Sequence, residues 1–386
     1  MPLKPAVLIL VPCYLPGVKS GGPITSIANF AEAMGDDLDI RIISSDRDEG
    51  DENCYPELPT REWIDQDKAR VMYLPPEDQG LSGWLSLLKN ERADFLYINS
   101  FFSLQFSLLP ILARAAGATG QPNLIIAPRG QFAPGALSFK WVRKQIILGI
   151  AKLLPVYRSA HWQASSVHEV AHIRQVLGTK VRISEALPFG MRNRAASQGR
   201  PDKTPGAIKI VFLGRISPMK NLAGALRMIR DVKGLIDFTI YGPIGNAPYW
   251  EECQSEIENL PSTIRVHLGG IVSHEDVLDV LGRHHLFFLP TLGENFGHVI
   301  NEALSAGCIT LTSDQTPWRG LAEAGVGWDL PLGNEEAFRS VLSHCVAMNQ
   351  SDFALASARC LNFANKFVDA EKVRAQYKAM FGIAAG

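Results

Sequence analysis

Residues 208–231 read IKIVFLGRISPMKNLAGALRMIRD, and the fold is decided there. Ile208–Gly214 is a near-continuous apolar run ending in glycine, the pattern of a strand covered on both faces. Arg215–Lys220 is polar and contains Pro218, so the strand stops. From about residue 221 to 232 the apolar positions recur at helical spacing. Strand, short loop and helix make one βα unit, and repeated units make a doubly wound α/β domain.

The unit does repeat. Downstream, DFTIYG (237–242), IRVHLG (264–269), HLFFLP (285–290) and CITLTS (308–313) read as further strands, with helices over 274–283 and 297–307. Upstream, AVLILV (6–11), DIRIIS (39–44), RVMYL (70–74), DFLYIN (94–99), NLIIAP (123–128) and AHWQAS (160–165) alternate with helical patterns at 23–35, 81–92, 103–117 and 139–154. Residues 188–208 are polar, carry Pro and Gly, and have no period, so they read as a linker. The expected organisation is a first domain over 1–195 and a second over 196–365. A C-terminal helix at about 366–386 is expected to pack back on the first. Ligands of such sheets bind at the carboxyl ends of strands, so two facing domains would form a cleft.

Composition narrows the function. The chain has 386 residues, 46% hydrophobic and 20% charged, with a net charge of −1, which excludes a disordered chain. The neutral balance argues against a nucleic-acid partner. Six cysteines without a C-x-x-C pair read as free thiols in a reducing compartment, not as a disulfide framework or metal site. The short apolar run before Pro12, with no small-residue cleavage site after it, is not expected to be a signal peptide, and no stretch approaches the ~18 residues of a membrane span. The expectation is a soluble, cytoplasmic chain. Its charge is unevenly placed: residues 1–100 carry 9 Lys+Arg against 17 Asp+Glu, residues 101–200 carry 13 against 2, and none of 95–168 is acidic. Such asymmetry suggests that one surface meets an anion.

The chemistry-bearing residues cluster after the strands of the second half. Gly214 and Arg215 follow the strand at 208–214, and Lys220 precedes the next helix; glycine admits a close ligand and two cations can clamp a diphosphate. Residues 292–307 read LGENFGHVINEALSAG: Glu294 lies in the turn after HLFFLP, Gly297 opens a helix, and Glu302 falls inside it. Backbone amides of Gly297, His298 and Val299 at that helix start suit phosphate oxygens. Residues 269–273, GGIVS, form a glycine-led loop.

Together, GR-x4-KN at 214–221 and E-x-FG-x4-EA-x3-G at 294–307 resemble the signature of glycosyltransferase family 4, among the retaining GT-B enzymes. Gly21-Gly22 resembles that family's N-terminal glycine loop, and APRGQF (127–132) the segment after the fifth strand in bacterial surface-polysaccharide members. The resemblance implies a GT-B fold of two Rossmann-like domains and transfer from a nucleotide sugar to a carbohydrate or lipid-linked glycan acceptor. It implies that Arg215 and Lys220 hold the diphosphate, Glu294 the sugar hydroxyls and Glu302 the ribose. Ile271 would pack the nucleobase and Gly22 would close over the phosphates. Arg129 stands where many members have a histidine; it and Asn99 are expected on the acceptor side. No cofactor and no metal are implied. A sugar-nucleotide epimerase of the same fold and a non-catalytic sugar-nucleotide binder remain as alternatives.

Each of these residues also has a plainer reading. Arg215 and Lys220 could be a solvated pair at a turn, and Glu294 and Glu302 a glycosidase pair, which needs carboxylates roughly 5–10 Å apart. His298 reads as an exposed residue of a first helical turn, implicated by its backbone alone. Asp46-Arg47-Asp48 mimics a metal-binding D-x-D but reads as a solvated or acceptor-side loop, and His284-His285 as structural. The helix at 139–158 is expected to pack Val142, Ile146, Ile150, Leu153 and Leu154 on the sheet. Its Lys140, Arg143, Lys144 and Lys152 would then face an anionic membrane surface, placing the enzyme peripherally on the inner face of the cytoplasmic membrane.

Overall fold

A computed structural model describes residues 4–117, 122–138, 141–190 and 200–383. The chain divides into two compact units, Met1–Phe189 with Ala370–Gly386, and Gly190–Asp369. The expected boundary at residue 195 lies outside the described residues.

The first unit is built on an eight-stranded sheet. Its strands are β1 (Ala6–Leu10), β2 (Asp39–Ser45), β3 (Ile64–Gln66), β4 (Ala69–Leu74), β5 (Phe95–Ile98), β6 (Asn123–Ile126), β7 (His161–Ala164) and β8 (Arg182–Glu185). The order is β3-β4-β2-β1-β5-β6-β7-β8, parallel except for the β3–β4 edge pair. Val7, Ile9, Leu96 and Tyr97 are wholly buried, which is why these strands read as continuous apolar runs. The helix Ala370–Met380 belongs to this unit: the Phe30 ring lies 5.0 Å from Tyr377, Phe189 stacks on Tyr377, and Arg374 pairs with Asp37 at 2.8 Å.

The second unit carries β9 (Ala207–Leu213), β10 (Leu235–Tyr241), β11 (Ile264–Gly270), β12 (Leu286–Leu289), β13 (Ile309–Ser313) and β14 (Gly327–Leu330), all parallel, in the order β11-β10-β9-β12-β13-β14. Strand order reverses between β9 and β12. Chains leaving the carboxyl ends of two such strands turn to opposite faces of the sheet and leave a crevice between them. Residues 214–221 and 290–297 flank that crevice. In the first sheet the equivalent reversal lies between β1 and β5.

Several expectations are corrected. The helix at 139–158 is two helices, Trp141–Leu153 and Pro155–Ser159, because Pro155 has no amide hydrogen to continue the first. Its Val142, Ile146 and Ile150 do not pack on the sheet but are exposed, and Leu148 and Ala151 are buried instead. Lys140 and the side chains of Lys152 and Leu153 lie outside the described residues. Asp46 and Asp48 are not solvated: Asp46 pairs with Arg47 at 2.8 Å, and the Asp48 carboxylate accepts from the amides of Val18, Lys19 and Glu49. These contacts fix the loop before Gly22. His298 is buried, not exposed, and lies against Phe296 with their ring centroids 4.9 Å apart.

Candidate active site

The 214–221 segment is shaped from below by its neighbours. Gly214 donates its amide to Tyr241 at 3.0 Å, and Gly242, at φ 135°, leaves no room for a side chain because a Cβ there would lie 2.0 Å from the Gly214 carbonyl. A Cβ on Gly214 itself would meet only the Lys220 stem, at 3.8 Å. Among the described residues nothing crowds that position, so the space above Gly214 is open. The Arg215 side chain runs across Gly245. Asn221, left-handed at φ 58°, turns the chain into the helix Leu222–Arg230 and donates to the Pro290 carbonyl at 2.9 Å.

That last bond ties the two flanks of the crevice together, two more do the same, and a third anchors Glu294 to the loop after β13. Leu292 N–H and Thr291 Oγ1 both donate to the Met219 carbonyl, at 2.8 and 2.9 Å, and Glu294 N–H donates to Gln315 at 3.0 Å. The result is a direct ion pair between Lys220 Nζ and the Glu294 carboxylate, both largely buried. The structure therefore brings the expected phosphate cation and the expected sugar-reading carboxylate into contact.

Gly297 caps the helix His298–Ser305 at φ 80°, a left-handed conformation, and a Cβ would crowd Ile300 at 3.1 Å. The amide dipoles of this helix start at His298 and Val299, so its positive end follows Glu294 directly in the chain. Trp318 holds the turn by donating from Nε1 to the Phe296 carbonyl at 2.6 Å. Glu302 lies in the helix with 6% exposure, and among the described residues its carboxylate has neither hydrogen bond nor ion pair. Burial alone pushes its pKa up to about 7. Ile271, just past β11, is half exposed, and Ile244 past β10 is exposed too. Both are apolar side chains at the carboxyl edge of the sheet.

In the first unit, Gly22 begins the helix Gly22–Met34 behind Gly21. Asn99 and Arg129 meet at the carboxyl ends of β5 and β6: Arg129 Nε and Nη2 donate to Asn99 Oδ1 at 3.0 and 2.6 Å. Arg129 also donates to Ser165 Oγ and to the Tyr97 hydroxyl. Tyr97 in turn donates to Gln163 at 3.0 Å. Asn99 Nδ2 is buried with no partner among the described residues. Sequence reading missed Tyr97, Gln163 and Ser165, which lie inside or just after apolar strands; the available signal was their alignment, across paired strands, with Asn99 and Arg129. Among the described residues no group of three or more His, Cys, Asp or Glu side chains could hold a metal. His284 and His285 are tied to Val280, Asp202 and Lys209 backbone atoms.

Residues 193–347 match the family model described as Glycosyl transferases group 1. The GPI3 subunit of phosphatidylinositol N-acetylglucosaminyltransferase from Saccharomyces cerevisiae is 32% identical over 106 residues, 28% of this chain and 24% of that protein. The chain thus spans about a quarter of the length of the curated relatives it matches. Among solved structures, Anabaena Alr3699/HepE in complex with UDP and glucose is similar at a TM-score of 0.73 and 15% identity, over 98% of this chain and all of that one. WaaG, a glycosyltransferase involved in lipopolysaccharide biosynthesis, is similar at 0.68 and 14% identity, over 99% of this chain and all of that one. These likenesses show the fold, which is GT-B.

Proposed function

We propose, from the match of residues 193–347 to the group 1 glycosyl transferases, that the chain is a member of that family and a retaining hexosyltransferase using a nucleoside-diphosphate sugar. The observation that carries this reading is the Lys220–Glu294 pair at the strand-order reversal. It sets a phosphate-binding cation and a hydroxyl-binding carboxylate side by side, as the two ends of a sugar–diphosphate bond require.

In this reading the bond between the sugar's anomeric carbon and the diphosphate oxygen breaks. Arg215, Lys220 and the positive end of the helix His298–Ser305 stabilise the charge that develops on the leaving oxygen. An acceptor hydroxyl attacks the same face, and its proton passes to the departing phosphate oxygen. The products are a glycoside of retained configuration and a nucleoside diphosphate. Two cations and a helix start can neutralise that diphosphate without a metal, and no cofactor is needed. Glu294 orients the sugar, Glu302 accepts from ribose hydroxyls, and Ile271 packs the base. Gly22 and the Arg129–Asn99 pair of the first unit serve the phosphates and the acceptor respectively.

The acceptor class is a carbohydrate, lipid-linked and destined for cell-surface polysaccharide. The site of action is the cytoplasmic face of an anionic membrane. Among the described residues no helix is long and apolar enough to cross a membrane, so that contact is peripheral in this reading. The relative described as acting on phosphatidylinositol and the neighbour involved in lipopolysaccharide biosynthesis support a lipid-borne acceptor. The test is incubation with a panel of nucleotide sugars, with and without glycan acceptors. A transferase makes glycoside and diphosphate, whereas an epimerase of the same fold converts the donor to another sugar nucleotide without any acceptor.

A further inference from the structure

We infer that the helix Trp141–Leu153 is a bilayer-docking surface that inserts apolar side chains into an anionic membrane. The inference deepens the membrane partner proposed above, which rested on charge alone.

The helix buries the wrong face for an ordinary sheet-covering helix. At about 100° per residue, Val142, Ile146 and Ile150 lie within about 80° of one another, and Leu148 and Ala151 lie on the opposite side. Leu148 and Ala151 are the buried pair; Val142, Ile146 and Ile150 are 66%, 59% and 41% exposed. Three large apolar side chains are thus held out on one side of a helix that is packed against the unit on its other side.

What surrounds the stripe identifies its occupant. Arg143 is exposed beside it, and Lys140 and Lys152 flank it in the sequence; no residue from 95 to 168 is acidic. A protein partner with an apolar patch would not need the helix and the chain on either side of it to be free of carboxylates. An anionic lipid surface does, because carboxylates near it are repelled and Lys and Arg are attracted. Apolar residues on one side with an arginine beside them form the composition of a helix lying in the headgroup region. Lys144 contributes differently: its Nζ donates to the Ala136 carbonyl and lies 5.2 Å from the Phe102 ring, so it fastens the helix to the unit.

The test is co-sedimentation of the full chain with phosphatidylcholine vesicles, with and without phosphatidylglycerol, at low and high salt. The wild type should bind the anionic vesicles and keep a substantial part of that binding at high salt, because insertion is not screened. The triple variant Val142→Ser, Ile146→Ser, Ile150→Ser keeps every charge and should lose the bound fraction roughly tenfold or more at high salt. All three positions are exposed, and an unchanged circular-dichroism spectrum and melting temperature would show the fold intact. Failure of the wild type to bind anionic vesicles, or equal binding by wild type and triple variant, would overturn the proposal and leave the transfer reading standing. So would light scattering in which the wild type is a dimer and the triple variant a monomer, since the stripe would then be a contact between copies.

Discussion

Lys220 Nζ is ion-paired to the Glu294 carboxylate across 74 residues of sequence, at the one place in the second sheet where strand order reverses. In the free protein each group neutralises the other. A donor whose diphosphate reaches Lys220 and whose sugar hydroxyls reach Glu294 replaces one strong contact by two. In the proposed reading the pair is a preformed stand-in for the donor's own polar groups.

Removing the cations should remove leaving-group stabilisation. Lys220→Ala or Arg215→Ala should lower turnover roughly 10²–10³-fold, a few kcal/mol of transition-state energy. Steady-state rates on purified protein with an unchanged melting temperature check this. Wild-type rates in either variant would end the leaving-group argument.

Glu294 and Glu302 should separate. Glu294→Ala frees Lys220 from its partner, so affinity for a free nucleoside diphosphate should hold or rise while transfer and sugar selection collapse. Glu302→Ala should weaken the diphosphate itself. Calorimetry with the reverse pattern would mean that the two roles are exchanged.

Glu302 also sets a pH dependence. Its folded pKa of about 7 lies above the ordinary carboxylate value, so between those limits the folded state holds more protons than the unfolded one. Stability contributed by the protonated form is therefore complete at acid pH and lost as pH rises through about 7. Each tenfold difference in proton affinity between the two states corresponds to about 1.4 kcal/mol. Glu302→Gln should raise the melting temperature at pH 8 and leave it unchanged near pH 4. Because ribose hydroxyls need an accepting carboxylate, nucleotide affinity of the wild type should fall as pH drops below 7. Affinity that rises on acidification would contradict the ribose role.

Much of this was legible in the sequence, for identifiable reasons. β9 and β12 are largely buried on both faces, so their apolar runs stand out, and Gly297, at a positive φ, marks where the chain must turn. β3, β8 and β14 were not anticipated: they are edge strands of three or four residues, with too few buried positions to form a pattern. Helical spacing located the 141–153 helix but could not say which side faces the protein. Val142, Ile146 and Ile150 form the more continuous stripe, yet the side that is buried carries Leu148 and Ala151. Asp46 and Asp48 looked solvated because charge runs usually are; backbone amides of a loop distant in sequence claim Asp48 instead.

Chelation should leave turnover intact. Asp46 and Asp48, the D-x-D that opens the acidic loop, are occupied by Arg47 and by backbone amides rather than presented to a ligand. Activity that is lost in EDTA and restored by magnesium or manganese would reverse the assignment of charge neutralisation to Arg215 and Lys220.

The central claim is that residues 214–221 and 294–302 hold a nucleoside diphosphate. Calorimetric titration of the wild type and of Arg215→Ala with uridine, guanosine, adenosine, cytidine and thymidine diphosphates tests it most directly. The account predicts saturable binding of at least one diphosphate by the wild type, weakened roughly tenfold or more when one charge-assisted phosphate contact is lost. No binding of any diphosphate, or equal affinity in wild type and variant, would contradict it.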